Sequence, residues 1–298
     1  MATVAEAQAA LARIRACPDG GLLSPEGTAT LLGVPPAVVV KALEQGQWGW
    51  QIQLALLEYQ KRRQSELRKT IGIYNIELTN YCNMKCSYCP QPLMGRKKGH
   101  MSAEILTLCI ERYLQRRILP RLVINNFGEP LLHPDLDARL RQIAAAGIDI
   151  ELNTNGLLLE KKLPILLAIP CRIDVALSVH QWVGQGPQAY FEALGGWQRR
   201  VAGSNVTFYQ ASNATEKKFS FHAWSHGPEQ DGDPQSYCEF LWDNRCTVLW
   251  NGDMTSCCID CDGESAFANI TDPGSAATHS RPWRGCRTCD YRHAPPIR

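Results

Sequence analysis

The sequence has little surplus of charge: 31 Lys and Arg stand against 29 Asp and Glu, a formal net charge of +2 over 298 residues. Such a balance gives no reason to expect nucleic acid or an anionic membrane as a partner. No apolar run approaches the roughly 20 residues that span a bilayer. The first residues, MATVAEAQAALARIRAC, are interrupted by Glu6, Arg13 and Arg15 and lack the basic-then-apolar order of a secretory signal. The expectation is a cytoplasmic chain with no membrane partner. Hydrophobic residues at 45% and charged residues at 20% suit an ordinary globular protein, large enough for one domain with small appendages.

Cysteine is what the chain has in excess. Thirteen are present, and in a reducing compartment clustered cysteines bind metal or do chemistry more often than they form disulfides. Three fall within residues 82–89 and seven within 238–289, while Cys17, Cys109 and Cys171 stand alone. Two groups so far apart imply two separate metal sites.

Residues 1–70 read as an N-terminal helical segment. Ser24-Pro25-Glu26 is a helix start, Gly33 breaks that helix, Pro35-Pro36 opens another and Gly46 can end it, which together resemble a short helix-turn-helix. Packing against the main domain is its plain role; docking of DNA or a peptide is the functional one. Residues 71–229 alternate strands (IGIYNIEL, RLVINNF, GIDIELNTN, RIDVALSV, NVTFYQ, and a further one at KKFSFHAW) with helices (SAEILTLCIERYLQRR, PDLDARLRQIAAAG, KKLPILLAI). Repeated βα units imply a parallel sheet, either an open partial barrel of six units or a flat doubly wound sheet. Residues 230–298 are rich in cysteine, glycine and turn residues, with little periodicity.

The first cysteine group is TNYCNMKCSYCPQP, in which Cys82, Cys86 and Cys89 have CxxxCxxC spacing directly after the first strand. Thiolates are the usual ligands of iron–sulfur clusters, and three on a short loop leave the fourth iron open for a ligand. Structural zinc is the rival, but it takes four ligands, and His100 is poorly placed to be the fourth. The motif, together with Gly128-Glu129-Pro130 further along the chain, resembles the radical S-adenosylmethionine (radical SAM) superfamily. That resemblance implies an α/β fold, a partial (β/α)6 barrel, a [4Fe–4S] cluster on Cys82, Cys86 and Cys89, and S-adenosylmethionine bound to the open iron. It also implies an external reductant such as flavodoxin or ferredoxin. Gly128-Glu129-Pro130, in NNFGEPLLHPDL at the end of the second strand, resembles the family's GGEP motif, with Phe127 in place of the first glycine. The motif binds the methionine amino group, so Glu129 is expected to face an ammonium. Tyr88 is placed like the aromatic that packs near adenine. Asn153 and Ser178 end the third and fourth strands, where ligands bind in parallel sheets, and are candidates for cofactor contact. His180 could face substrate or simply be hydrogen-bonded. Arg96, Gly99 and Met101, in MGRKKGHM, match a pattern common after this loop in the SPASM/twitch subfamily, which loop structure alone could also explain.

The second group resembles the start of the SPASM pattern: Cys238-x13-Gly252-x4-Cys257, then Cys286-x2-Cys289. Lacking the remaining ligands, it resembles the twitch arrangement with one auxiliary [4Fe–4S] cluster, zinc being the alternative. Gly252 suits a tight hairpin. Cys257 is preferred to Cys258 on the glycine spacing alone. Cys246, Cys258 and Cys261 are then spare and are candidate hydrogen-atom donors, or small buried hydrophobes. Cys109, on the apolar face of a helix with Ile105, reads as core. The resemblance implies a substrate that is either a ribosomally made peptide (epimerisation, crosslinking or excision) or a sugar or aminoglycoside alcohol undergoing dehydrogenation. A metal-bearing DNA- or peptide-binding protein is the reading from another class, and it leaves Gly128-Glu129-Pro130 unexplained.

Overall fold

The computed structural model describes residues 69–86, 89–182, 184–211 and 239–275. The chain divides into two units, Met1–Arg68 and Lys69–Arg298, and every described residue belongs to the second. The helix-turn-helix-like segment, the strand expected at KKFSFHAW, and Tyr88, Cys238, Cys286 and Cys289 lie outside the described residues.

Strands β1 (Gly72–Ile76), β2 (Leu122–Ile124), β3 (Ile150–Thr154), β4 (Ile173–Leu177) and β5 (Val206–Gln210) lie side by side in chain order, all parallel. Helices α1 (Ala103–Gln115), α2 (Leu136–Ala145), α3 (Leu159–Leu167) and α4 (Pro187–Arg200) connect them. The sixth parallel strand, β6 (Arg245–Val248), joins the free side of β1. Two antiparallel strands, β7 (Asp253–Thr255) and β8 (Ala266–Asn269), extend the sheet beyond it. A one-turn helix, Glu239–Trp242, leads into β6.

A strand's side chains alternate between faces, and here that alternation separates two chemistries. Ile76, Ile124, Leu152, Val175 and Phe208 are register partners across β1 to β5, with Val248 of β6 opposite Ile76. All six are buried in the apolar core with the helices. One residue earlier the row reads Asn75, Val123, Glu151, Asp174 and Thr207, with Thr247 opposite Asn75. The sheet's other face is therefore largely hydrophilic. Asn75 accepts from the Thr247 hydroxyl at 2.6 Å, and Asp174 pairs with Arg121 at 2.8 Å.

Helix α1 shows why these segments fold locally. Ser102, in extended conformation, caps it by accepting the Ile105 N–H, and Leu106, Cys109, Ile110 and Tyr113 recur at the spacing of one buried face. Glu104 in the first turn and Arg112 in the last complement the helix dipole.

Two features depart from the sequence reading. Helix α4 was not anticipated, since Gly195-Gly196 interrupt its pattern; Tyr190 and Leu194 nonetheless hold it to the core. Residues 245–255, placed by the sequence in a separate C-terminal domain, complete the main sheet through β6 and β7. The hairpin at Gly252 is as expected: its φ is +90°, and its N–H donates to the Leu249 carbonyl at 2.9 Å.

Candidate functional site

The carboxyl ends of β1 to β4 gather the candidate residues, as in other open parallel sheets. The loop leaving β1 carries Cys82, Cys86 and Cys89, each partly buried. Asn80, wholly buried, organises it. Its side chain accepts the Gly99 N–H at 2.8 Å and donates to the Lys97 carbonyl at 2.9 Å, and its own carbonyl accepts Gln91 Nε2 at 3.0 Å. The loop's start and its return are thus fastened to one another. The Cys89 N–H donates to the Cys86 carbonyl at 3.1 Å.

Gly128 lets the loop after β2 press against the first. A Cβ there would lie 1.8 Å from the Thr79 carbonyl oxygen and 2.9 Å from Asn80 Cα, and backbone atoms cannot move aside. The next residue, Glu129, donates its N–H to the Tyr81 carbonyl at 2.8 Å. Its carboxylate is buried and receives three donors: the Leu131 N–H at 3.1 Å, the Thr154 hydroxyl at 2.8 Å and the Asn155 N–H at 2.8 Å. Burial pushes the Glu129 carboxyl above the usual carboxylate range, and those three hydrogen bonds pull it back down. Pro130 opens the turn that carries the chain towards α2.

Asn155 joins the third loop to the first. Its Nδ2 donates to Asn83 Oδ1 at 2.8 Å and lies 4.0 Å from Cys82 Sγ. Burial raises the thiols of Cys82 and Cys89 above their ordinary value, and Cys86 adds to it in both. The three cysteines are therefore within electrostatic reach of each other. Among the described residues, though, no three His, Cys, Asp or Glu side chains already converge on the position of one metal ion.

Further polar groups sit at this end of the sheet. Asn153 Oδ1 is buried with no hydrogen-bond partner among the described residues, and so are both side-chain polar atoms of Asn126, whose φ is +149°. An unpaired buried amide costs about 1–3 kcal/mol, so such groups mark a place where a polar ligand would be welcome. Ser178, also buried, donates its N–H to the Thr154 carbonyl at 2.9 Å. His180 begins a short 3-10 turn after β4. Three loop thiols, a cradle that a Cβ would fill, and orphaned amides at the same end of the sheet as a buried carboxylate fit a thiolate-bound cluster with a zwitterionic ligand.

Residues 76–181 match the Radical SAM superfamily, a span that holds all of these loops. Residues 76–181 form a radical SAM domain. A probable GTP 3',8-cyclase of Methanococcus maripaludis (strain C6) is 36% identical over 97 residues, 31% of each chain. The GTP 3',8-cyclase of Aquifex aeolicus is 32% identical over 123 residues, 39% of this chain and 37% of that one. The chain thus spans less than half the length of these relatives. Among solved structures, BtrN in complex with AdoMet and 2-DOIA aligns at TM-score 0.48 and 21% identity, covering 68% of this chain and 79% of its own. Streptococcus suis SuiB bound to S-adenosylmethionine aligns at TM-score 0.41 and 14% identity, covering 77% and 74%.

The spare cysteines of the sequence reading separate on inspection. Cys246 is fully buried on β6, one residue from Thr247, and so faces away from the hydrophilic side. Burial pushes its thiol up to about 12, and it lies close enough to Cys109 of α1 to raise that thiol further. Cys246 packs in the apolar core, as the buried-hydrophobe reading of this cysteine has it. Cys257, Cys258 and Cys261 are partly buried on the loop after β7. Cys261 is pushed up to about 12 by burial and by the Asp262 and Asp260 carboxylates, with Arg96 acting against them.

The two cysteine groups are also less separate than their spacing suggests. Arg96, on the return of the radical SAM domain's cysteine loop, forms a two-pronged pair with Glu77 at 2.6 and 2.5 Å and donates Nε to the Cys261 carbonyl at 2.5 Å. Sequence reasoning missed Glu77. The available signal was an acid directly after β1, with Arg96 as a cation to meet it.

Proposed function

We propose that the protein is a radical SAM enzyme, with Cys82, Cys86 and Cys89 holding a [4Fe–4S] cluster and S-adenosylmethionine bound beside it. The observation that carries this reading is the joining of three loops at Glu129: its N–H donates to the Tyr81 carbonyl at the start of the cysteine loop, and its buried carboxylate accepts from Thr154 and Asn155 at the end of β3. When bound and reduced, the cluster supplies the electron that cleaves S-adenosylmethionine to methionine and a 5'-deoxyadenosyl radical, which abstracts hydrogen from substrate.

The chain's own residues bind, orient and enclose. Glu129 keeps a negative charge at the loop junction, held by three donors, where it favours an ammonium. A carboxylate has about four lone-pair sites, so three internal bonds leave capacity for one more. Asn153 and Ser178 stand at strand ends where a carboxylate or ribose would lie. Tyr88 is assigned to the adenine, and His180 to the substrate side. Cys238, Cys257, Cys286 and Cys289 are assigned to an auxiliary [4Fe–4S] cluster, and an external one-electron donor such as flavodoxin or ferredoxin completes the system.

For the substrate we favour a ribosomally made peptide, modified by epimerisation, crosslinking or excision. Cys258 and Cys261 support it, as thiols outside the four-ligand set and only partly buried, and a thiol can return a hydrogen atom to a carbon radical. A hydroxylated small molecule, dehydrogenated at an alcohol carbon, is the second reading. The hydrophilic inner row of Asn75, Glu151 and Asp174 favours it, and the relatives named GTP 3',8-cyclase are named for a small polar substrate.

Anaerobic protein, reconstituted with iron and sulfide and given dithionite and S-adenosylmethionine, should release 5'-deoxyadenosine. Iron-loaded protein that binds S-adenosylmethionine without cleaving it would overturn the assignment. Solvent deuterium at the product carbon marks epimerisation, whereas a carbonyl product marks alcohol oxidation.

A further inference from the structure

Glu77 closes β1 with 1% of its side chain exposed, and Arg96, 12% exposed, reaches it from the return of the cysteine loop. Both carboxylate oxygens are engaged by the guanidinium, and the Trp250 N–H approaches Oε2 at 3.4 Å. The third guanidinium donor, Nε, goes to the Cys261 carbonyl, 165 residues along the chain.

Three further contacts run the same way. The Gly95 N–H donates to Asp262 Oδ1 at 2.7 Å. Trp250 Nε1 approaches the Lys97 carbonyl at 3.3 Å. A Cβ on Gly99 would fall 2.5 Å from the Trp250 ring, so the indole lies directly over that glycine. Residues 95, 96, 97 and 99 are therefore each bonded to or packed against the 250–262 segment, around a single ionic centre.

We propose that Glu77 and Arg96 form a buried strut through which the first cysteine loop and the 257–262 segment position one another. A planar guanidinium with donors on two edges can hold a carboxylate and a carbonyl at once, which an ammonium cannot do in the same plane. Arg96 is a positioning residue. It fixes the cysteine loop by way of Glu77, and fixes the three cysteines after β7 by way of the Cys261 carbonyl. By reciprocity, metal loading at either group tightens the other. This rests on the proposed function only in taking both cysteine groups as metal-bearing.

Hydrogen exchange read by mass spectrometry on the full chain tests the strut, first with metal removed by chelator and then after reconstitution with iron and sulfide. Arg96→Ala should raise exchange about tenfold or more in both 89–101 and 249–265, while β3 and β4 keep their protection. Arg96→Lys leaves a cation beside Glu77 without the Nε donor. It should restore 89–101 and leave 249–265 fast. In the wild type, iron loading should slow both segments; in Arg96→Ala, each should respond only to its own metal. Acceleration confined to 89–101, or full restoration of both segments by Lys, overturns the strut. Should Arg96→Ala unmask β3 and β4 as well, Asp262→Ala decides. It removes the Gly95 bond at the exposed edge and the Cys261 thiol's contact with Asp262 Oδ2 at 3.6 Å, leaves Arg96 and Glu77 in place, and must loosen both segments or the proposal fails. The chelated chain performs no S-adenosylmethionine chemistry, so failure here leaves the proposed reaction standing, and failure to cleave the cofactor leaves the strut standing.

Discussion

The Glu129 carboxylate accepts the backbone N–H of Asn155 at 2.8 Å, so the acid of the Gly128-Glu129-Pro130 loop is fastened to the end of β3 before any ligand arrives. Replacing it with Gln turns one acceptor into a donor that faces a donor. The loss is about 1–3 kcal/mol, which for a domain of this size lowers Tm by roughly 2–10 °C. S-adenosylmethionine affinity should fall about ten- to a hundredfold, the worth of a charge-assisted hydrogen bond, with iron content unchanged. Equilibrium binding and calorimetry on reconstituted protein check both arms. A lowered Tm with unchanged affinity would make Glu129 a purely internal tie.

Gly128→Ala should be the more damaging change. Its Cβ would sit 1.8 Å from the Thr79 carbonyl oxygen and 2.6 Å from the Thr79 carbonyl carbon, so the two loops must part. Iron content and S-adenosylmethionine binding should fall together, with near-native far-UV circular dichroism from the intact sheet and helices. Retention of both would mean the loops separate at little cost.

Much of the sheet was legible because its apolar row is written plainly as Ile76, Ile124, Leu152, Val175 and Phe208, each with a polar residue on at least one side. The cysteine loop and Gly128-Glu129-Pro130 were legible because motif spacing is local. What escaped is long-range or composition-masked. The strand Arg245–Val248 is four residues among cysteines and turns, and nothing local says that it pairs with β1. Helix α4 hides behind Gly195-Gly196. The pairing of Arg96 with Glu77, and through Nε with the Cys261 carbonyl, is decided by the folded topology, which hydrophobic periodicity does not encode.

Cys246→Ala should leave chemistry intact. The thiol is buried against Cys109 on the helix-packed side of the sheet, so its removal costs about 1 kcal/mol of packing and no hydrogen donor. Turnover and deuterium incorporation should match the wild type, while Cys258→Ala and Cys261→Ala are tested separately for a loss of product without loss of cofactor cleavage. A product defect in Cys246→Ala at unchanged iron would return it to the site.

Metal content separates the two cysteine groups. Cys82, Cys86 and Cys89 changed together to Ala should remove about four irons per chain, one [4Fe–4S] cluster, and abolish cleavage of S-adenosylmethionine. The iron of the proposed auxiliary cluster should stay, though with faster hydrogen exchange around 257–262. Iron and sulfide analysis with electron paramagnetic resonance of the reduced protein reads this directly. Tightly bound zinc in the wild type with no charge-transfer absorbance would reject both clusters.

Acid sensitivity should arise next to the site, at His133. Its ring is buried, Nδ1 accepts the Asp135 N–H at 3.1 Å, and Nε2 therefore carries the proton that meets the Met101 carbonyl at 3.1 Å. Both nitrogens are satisfied only in the neutral form. Burial holds the imidazole below its ordinary value, with His100 and Arg139 pushing the same way against the Met101 carbonyl and Asp135. His100, stacked on Tyr81 and edge-on to His133, is likewise lowered by burial. With the folded value depressed, the unfolded chain binds more protons than the native one once pH drops below about 6.5. The stability that the neutral ring contributes is therefore present above that pH and is lost as pH falls through the depressed folded value. Urea unfolding of metal-free protein at a series of pH values between 8 and 5 should show this decline. His133→Gln, which keeps an amide donor for Met101 and cannot titrate, should be less stable at pH 8 and lose less on acidification. Parallel pH profiles for the two proteins would show that His133 does not carry the acid limb.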